Sequence, residues 1–367
     1  MMKKLIAGIL AISIIALLIT GCATSTPSQT SKPAPTTTAA PATTAPPSTT
    51  QPAPQAYKWK IETYLANTDT SVSGNIDKLI EMIKTNTKGQ IELTRFPEGS
   101  IVPGKEVVNA TASGMLDVAV SYGGYNTGAL PAAIVEDGLP MQWTSSDQMD
   151  GIIPAFEDVL RPEYAKLGVY LLALYNCYGG GYTTMFTKPV NSLDELKGKK
   201  VRATGGYLTL LQALGASTNT LPLGEVYQAL QTGAIDGVCS VANVQTAFKF
   251  YEVAKFGILP QFNGGSTHSV FINPKSWSNL PKDLQDTVVS TFKEWRVWDS
   301  KTWNPANVAV PVSQLESLGV KFVTLSQSDI DKIMAAATLM WDNQAKDPTS
   351  AKLVEIVRNY NKANPPK

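Results

Sequence analysis

Few side chains in this sequence are equipped for chemistry. His268 is the single histidine of 367 residues. That excludes a His-rich metal site, a zinc deaminase pattern and any Ser-His-Asp triad not built on His268. The segment Gly264 to Ser269 contains no G-x-S-x-G elbow, and Thr204-Gly205-Gly206 lacks the spacing of a dinucleotide fingerprint or a phosphate-cradling loop. There is no Cys-x-x-Cys. These absences argue against an enzyme and against a resident metal or cofactor. The chemistry that remains sits at Cys22. Lys3 and Lys4 precede an apolar run, Leu5 to Ile19, that is short for a membrane span. Ile19-Thr20-Gly21-Cys22 then resembles a bacterial lipobox, which implies cleavage before Cys22 and a diacylglyceryl group on its thiol. The alternative is a plain secretory signal with an incidental cysteine. With Cys22 acylated, Cys177 and Cys239 remain, and their apolar surroundings favour buried free thiols over a bridge.

Residues 23–56 hold Ala, Thr, Ser, Pro and Gln with Lys32 as the lone charge and no aromatic side chain. Such a segment cannot bury enough apolar surface to offset its ordering entropy. Its prolines favour an extended tether, reaching about 100 Å at roughly 3.1 Å per residue. Beyond it the chain is long enough for two cores. With 31 basic and 30 acidic residues the net charge is +1, so no global field draws the protein to nucleic acid or an anionic membrane surface.

The elements that must position any site are repeated. Residues 105–121 (KEVVNATASGMLDVAVS) and 224–240 (GEVYQALQTGAIDGVCS) share Glu106/Glu225, Val107/Val226, Ala110/Ala229, Gly114/Gly233, Asp117/Asp236 and Ser121/Ser240. Each copy reads as a helix stopped by glycine, then Asp, then a buried strand. Two α/β lobes on one plan are expected, closing on something between them. Tyr57 to Tyr64, Ile91 to Phe96 and the strand after Asp117 alternate with helical patterns, giving the β-α-β-α-β opening of a mainly parallel sheet. Leu167 to Asn176 is a further strand, followed by Gly179-Gly180-Gly181 as a crossing between lobes. Lys199 to Ala203, a helix over Tyr207 to Leu214 and the second repeat form the second lobe, and Ser269 to Asn273 returns to the first. Pro281 to Trp303 is a long helix that Pro305 and Pro311 would kink or break, and Asp329 to Gln344 and Lys352 to Tyr360 are terminal helices.

Ser192 to Arg202 (SLDELKGKKVR), Leu214-Gly215-Ala216-Ser217, Leu221 to Tyr227 and Ala229 to Gly237 (ALQTGAIDG) resemble the signature of the substrate-binding proteins of TRAP transporters, the DctP family. Weaker matches run from Tyr57 to Tyr360. The resemblance implies a two-lobe, periplasmic-binding-protein-like (Venus flytrap) α/β fold with crossing strands and a long kinked connecting helix. The expected organisation is signal peptide 1–21, lipidated Cys22 and linker 22–56, lobe 1 over 57–178 plus 265–304, lobe 2 over 179–264 plus about 305–330, and C-terminal helices 331–367. It implies capture of a small organic anion outside the cytoplasm, in the periplasm or at the cell surface, and delivery to TRAP membrane permease subunits. The membrane would be touched by the lipid anchor only. A ligand-sensing lipoprotein feeding a membrane receptor is the competing role.

Arg202 matches the family's carboxylate-clamping arginine, and a planar, permanently charged guanidinium suits that task. Tyr182 stands where the family's sialic-acid binders carry a second arginine, and Gly205 where they carry asparagine. One cationic anchor therefore favours a monocarboxylate with an apolar or aromatic body. Aromatic cleft candidates are Tyr122, Tyr125, Trp143, Tyr178, Tyr182, Tyr207 and Phe262. Tyr122, Tyr178 and Tyr182 rank higher because they follow strand ends, where open α/β sheets bind ligands. Ser240 and Asn243 follow the second repeat strand and could donate hydrogen bonds. The expected ligand-binding set is Arg202, Tyr182, Tyr178, Tyr122, Tyr125, Gly205, Leu223, Ser240 and Asn243, with no catalytic or metal residue. Asp117 and Asp236 are expected to bond backbone amides, and His268 to be structural.

Overall fold

The two copies of the repeat build two sheets in the same way. The computed structural model describes residues 56–64, 70–143, 145–177, 181–221, 223–262 and 265–364, all within the unit Ala53–Lys367. Cys22, the tether through residue 55 and Tyr178 lie outside the described residues. In chain order the strands are β1 (Tyr57–Thr63), β2 (Ile91–Phe96), β3 (Val118–Tyr122), β4 (Tyr170–Cys177), β5 (Tyr182–Phe186), β6 (Lys200–Arg202), β7 (Ser217–Asn219), β8 (Gly237–Val241), β9 (Phe256–Leu259), β10 (Ser266–Ile272) and β11 (Lys321–Thr324). One sheet has the order β2-β1-β3-β10-β4, the other β11-β9-β5-β8-β6-β7. In the first, β1 runs parallel to β2 and β3; in the second, β6 runs parallel to β7 and β8.

The sheets are mixed rather than mainly parallel. β10 lies antiparallel between β3 and β4, and β5 antiparallel between β8 and β9. The cause is topological. A strand arriving from the other lobe enters at the edge where the parallel strands end, so it must run against them. Both faces of each sheet are covered. Val118 and Val120 enter one core with Ile61, Leu79 and Trp295, while Ala119 enters another with Phe156, Leu160 and Phe271. This is why β3 (VAVSY) and β4 (YLLALYNC) read as nearly continuous apolar runs.

The repeat's conserved-looking pairs do matching work. Gly114 and Gly233 end their helices at φ 82° and 74°, a conformation that favours glycine. Asp117 accepts the backbone N–H of Lys60 at 2.9 Å, and Asp236 that of Lys200 at 2.8 Å. Each aspartate thereby locks the strand after its own helix to the parallel strand beside it, β3 to β1 and β8 to β6.

The long helix is Lys282–Trp298, continued by a π-helical turn, Asp299–Trp303, and the short helix Asn304–Asn307. Pro305 cannot donate into the preceding turn, and the wider π turn sits just before it. The terminal helices are Gln327–Gln344, capped by Ser326, and Pro348–Ala363, capped by Asp347. Met340 packs against cores of both lobes, and Trp341 Nε1 donates to the Pro140 carbonyl at 2.9 Å. The helix Ser146–Lys166, which contains Pro154 and Pro162, covers β4 and was not evident in the sequence pattern.

Candidate functional site

A cavity of about 420 Å³ opens where the strand ends of the two sheets face each other. This is where open α/β sheets place their ligands. Arg202 is the last residue of β6 and lines the cavity although only 6% of it is exposed. Its Nε donates to the Leu221 carbonyl at 3.1 Å, which fixes the plane of the guanidinium. Among the described residues no carboxylate pairs with it. Burial pulls its pKa below the ordinary value, and the groups acting the other way are Cys239, Tyr182 and Tyr122. None of these is a counter-charge at neutral pH. Burial pushes the Cys239 thiol up to about 12 and raises both phenols. Among the described residues Arg202 is the one charged side chain that lines the cavity.

Six further members of the expected set line the same cavity: Tyr122, Tyr125, Tyr182, Leu223, Ser240 and Asn243. The Asn243 Oδ1 accepts the Val244 N–H at 2.9 Å. Tyr182 stacks on Tyr207 with ring centroids 3.7 Å apart and 15° between planes. Tyr122 lies 4.4 Å from Tyr125 by ring centroids and 5.0 Å from Tyr64. Gly205 does not line the cavity. Its φ of 54° turns the chain from β6 into the helix Gly205–Ala213, so it shapes the site without contacting its interior. Trp143 and Phe262 are core residues, each 1% exposed. The Trp143 Nε1 donates to the Gly265 carbonyl at 3.1 Å.

Several lining residues were not among the expected cleft residues, and two of them, Cys177 and His268, were read as a buried thiol and a structural histidine. Tyr64 follows β1, Cys177 ends β4, and Ser266 and His268 lie on β10. Tyr64 Oη is 2.7 Å from His268 Nε2, and burial lowers His268 to about 3, so the imidazole is neutral. On the second lobe, Val241, Val244 and Phe248 complete an apolar wall. The duplicated register was the available signal: Tyr122 and Tyr125 correspond to Val241 and Val244.

Residues 62–347 match the model of the bacterial extracellular solute-binding proteins, family 7 (DctP). The chain belongs to this family. It is accordingly a solute-binding receptor of the TRAP type, extracytoplasmic and not an enzyme. It is 25% identical to the monocarboxylate 2-oxoacid-binding periplasmic protein of Nostoc sp. over 319 residues, covering 83% of this chain and 84% of that one. To the 2,3-diketo-L-gulonate-binding periplasmic protein of Escherichia coli it is 25% identical over 292 residues, covering 76% and 85%. A TRAP periplasmic solute-binding protein from Colwellia psychrerythraea, solved with bound calcium and pyruvate, superposes with a TM-score of 0.73 at 20% identity, over 84% of this chain and 95% of that one. Among the described residues the cavity lining does not supply the donors such a cation takes. Calcium takes six to eight oxygen ligands, carboxylates prominent among them. Among the described residues no Asp or Glu lines the cavity, and no group of three or more His, Cys, Asp or Glu is placed to hold a metal ion.

Proposed function

We propose that this receptor captures a small monocarboxylate between its lobes and hands it to TRAP permease subunits, while a lipid on Cys22 holds it at the membrane. Arg202 clamps the carboxylate, and Tyr182, Tyr122, Tyr125, Ser240 and Asn243 supply neutral polar partners around it. The observation that carries this reading is the buried guanidinium with no carboxylate partner among the described residues, the one charge lining the cavity. A carboxylate entering there recovers a charge-assisted pair, about twice the strength of a neutral hydrogen bond. The ligands for which the Nostoc and Escherichia coli relatives are named are organic acids, which agrees.

One cation neutralises one carboxylate. Butanoate and succinate match in chain length and differ by a second charge, which would meet only neutral groups in the cleft. Calorimetry is expected to show butanoate binding at least tenfold tighter. Tighter binding of succinate would mean that a second cationic contact exists and would defeat the reading.

A further inference from the structure

The cavity has a second chemical character besides its charge. Of the exposed large hydrophobic side chains, Tyr125 and Phe248, each 41% exposed, are the two that line the cavity. They stand on opposite lobes. Tyr125 lies in the turn after β3, held against Tyr122 and edge-on to Tyr64 at 5.9 Å between ring centroids. Phe248 caps the helix Ala242–Ala247 that follows β8, its N–H bonded to the Val244 carbonyl at 3.0 Å. Lys249 then turns the chain at φ 56°, which sends Phe250 into the core and leaves the Phe248 ring at the cavity.

Exposed aromatic rings on both walls of a cleft are an uncovered apolar surface, and such surface marks a binding site. Below Phe248 the second lobe's wall continues as Leu223, Val241 and Val244. A volume of about 420 Å³ lies in the range of pockets that engulf drug-sized ligands. A two- or three-carbon acid held at Arg202 would leave the apolar wall facing water. Resting on the Arg202 reading, we propose that the cognate ligand is an amphipathic monocarboxylate bearing an aryl or branched-chain group, and that Tyr125 and Phe248 close on that group from the two lobes. Phe248 is then a specificity-determining residue, and its contact with the ligand body forms only as the lobes close. The charged head sets where the ligand sits; the aromatic pair selects its body.

The test is calorimetric titration of the purified protein with propanoate, 4-methylpentanoate and 3-phenylpropanoate. The two larger acids are expected to bind at least tenfold tighter than propanoate. Phe248→Ala removes most of that advantage and weakens propanoate far less than the two larger acids; as an exposed side chain its truncation does not endanger folding. Arg202→Ala weakens all three. A double-mutant cycle of Tyr125→Ala with Phe248→Ala is expected to be non-additive by at least threefold for 3-phenylpropanoate, yet additive in the melting temperature of the ligand-free protein. Equal binding of the three acids, or equal loss of all three in Phe248→Ala, overturns this inference and leaves the Arg202 clamp standing. Failure of all three acids to bind overturns the clamp and this inference with it.

Discussion

Arg202→Met should move stability and affinity in opposite directions. In the ligand-free protein the guanidinium is 6% exposed, and its one hydrogen bond among the described residues goes to the Leu221 carbonyl. Its lowered pKa reflects burial that no neighbouring carboxylate offsets. Exchanging even a buried ion pair for well-packed apolar side chains is often neutral or stabilising by about 1–4 kcal/mol, and a buried charge with no partner has less attraction to lose. Against that, the Leu221 carbonyl loses its donor, at about 1 kcal/mol. A net gain of about 1 kcal/mol corresponds to roughly 2 °C in melting temperature for a chain of this size. Ligand binding should suffer instead. A carboxylate closed into the cleft without its cation costs about 2–5 kcal/mol, or roughly 30- to several-thousand-fold in affinity. Arg202→Lys keeps the charge but lacks both the Nε–H that meets Leu221 and the planar fork, so it should fall nearer to Met than to the parent in affinity. Thermal melts of the apo proteins and calorimetry with butanoate measure the two halves separately. If Arg202→Met both melts lower and binds within threefold of the parent, the guanidinium is a structural group, and the anion site lies elsewhere.

Two further outcomes follow from other parts of the chain. Cys22→Ala should move the protein from the membrane to the soluble fraction with affinity unchanged, because every residue assigned to the ligand lies beyond residue 56; a variant that stays membrane-bound would rule out acylation as the anchor. Stability should fall as pH rises from 6 to 8. Burial lifts Asp299 and Glu136 each to about 7, so in the folded protein they stay protonated where the unfolded chain is already ionised, and the stability this contributes at low pH is lost as pH rises through about 7. His268, lowered to about 3, works oppositely but only below about 6.5, where the unfolded histidine gains its proton. Melting curves at the two pH values check the sign, and Asp299→Asn should flatten the slope; a melting temperature that rises toward pH 8 contradicts it.

What could be read in advance depended on whether the cause was local. Helix stops at Gly114 and Gly233, the amide-bonding roles of Asp117 and Asp236, and the strand-end position of Arg202 each follow from a few neighbouring residues. The mixed sheets did not, because the direction of β5 and β10 is imposed by the path between lobes and leaves no trace in strand composition. The Ser146–Lys166 helix was masked by Pro154 and Pro162, which tertiary packing on β4 tolerates. Trp143 and Phe262 were mistaken for cleft aromatics because burial, not residue type, separates core rings from lining rings. Phe248 was missed for the converse reason: its exposure depends on the backbone turn at Lys249.

The duplicated frame explains why the cleft carries one charge. Asp117 grips Lys60 and Asp236 grips Lys200, so the two lobes can be laid on a single register. On it Tyr64 corresponds to Thr204, Tyr122 to Val241 and Tyr125 to Val244, and all six line the cavity. Arg202 corresponds to Glu62, whose fate is different. The Glu62 carboxylate is fully buried and accepts the backbone N–H groups of Ile101 at 3.0 Å and Val102 at 3.2 Å. Its charge is spent on a loop of its own lobe, and it does not line the cavity. Had both positions faced inward, the acid of one lobe would have neutralised the base of the other. Closure would then have needed no ligand. With Glu62 turned into its loop, the guanidinium across the cleft has no partner from the opposing strand end, and a carboxylate from solution can complete the closed state.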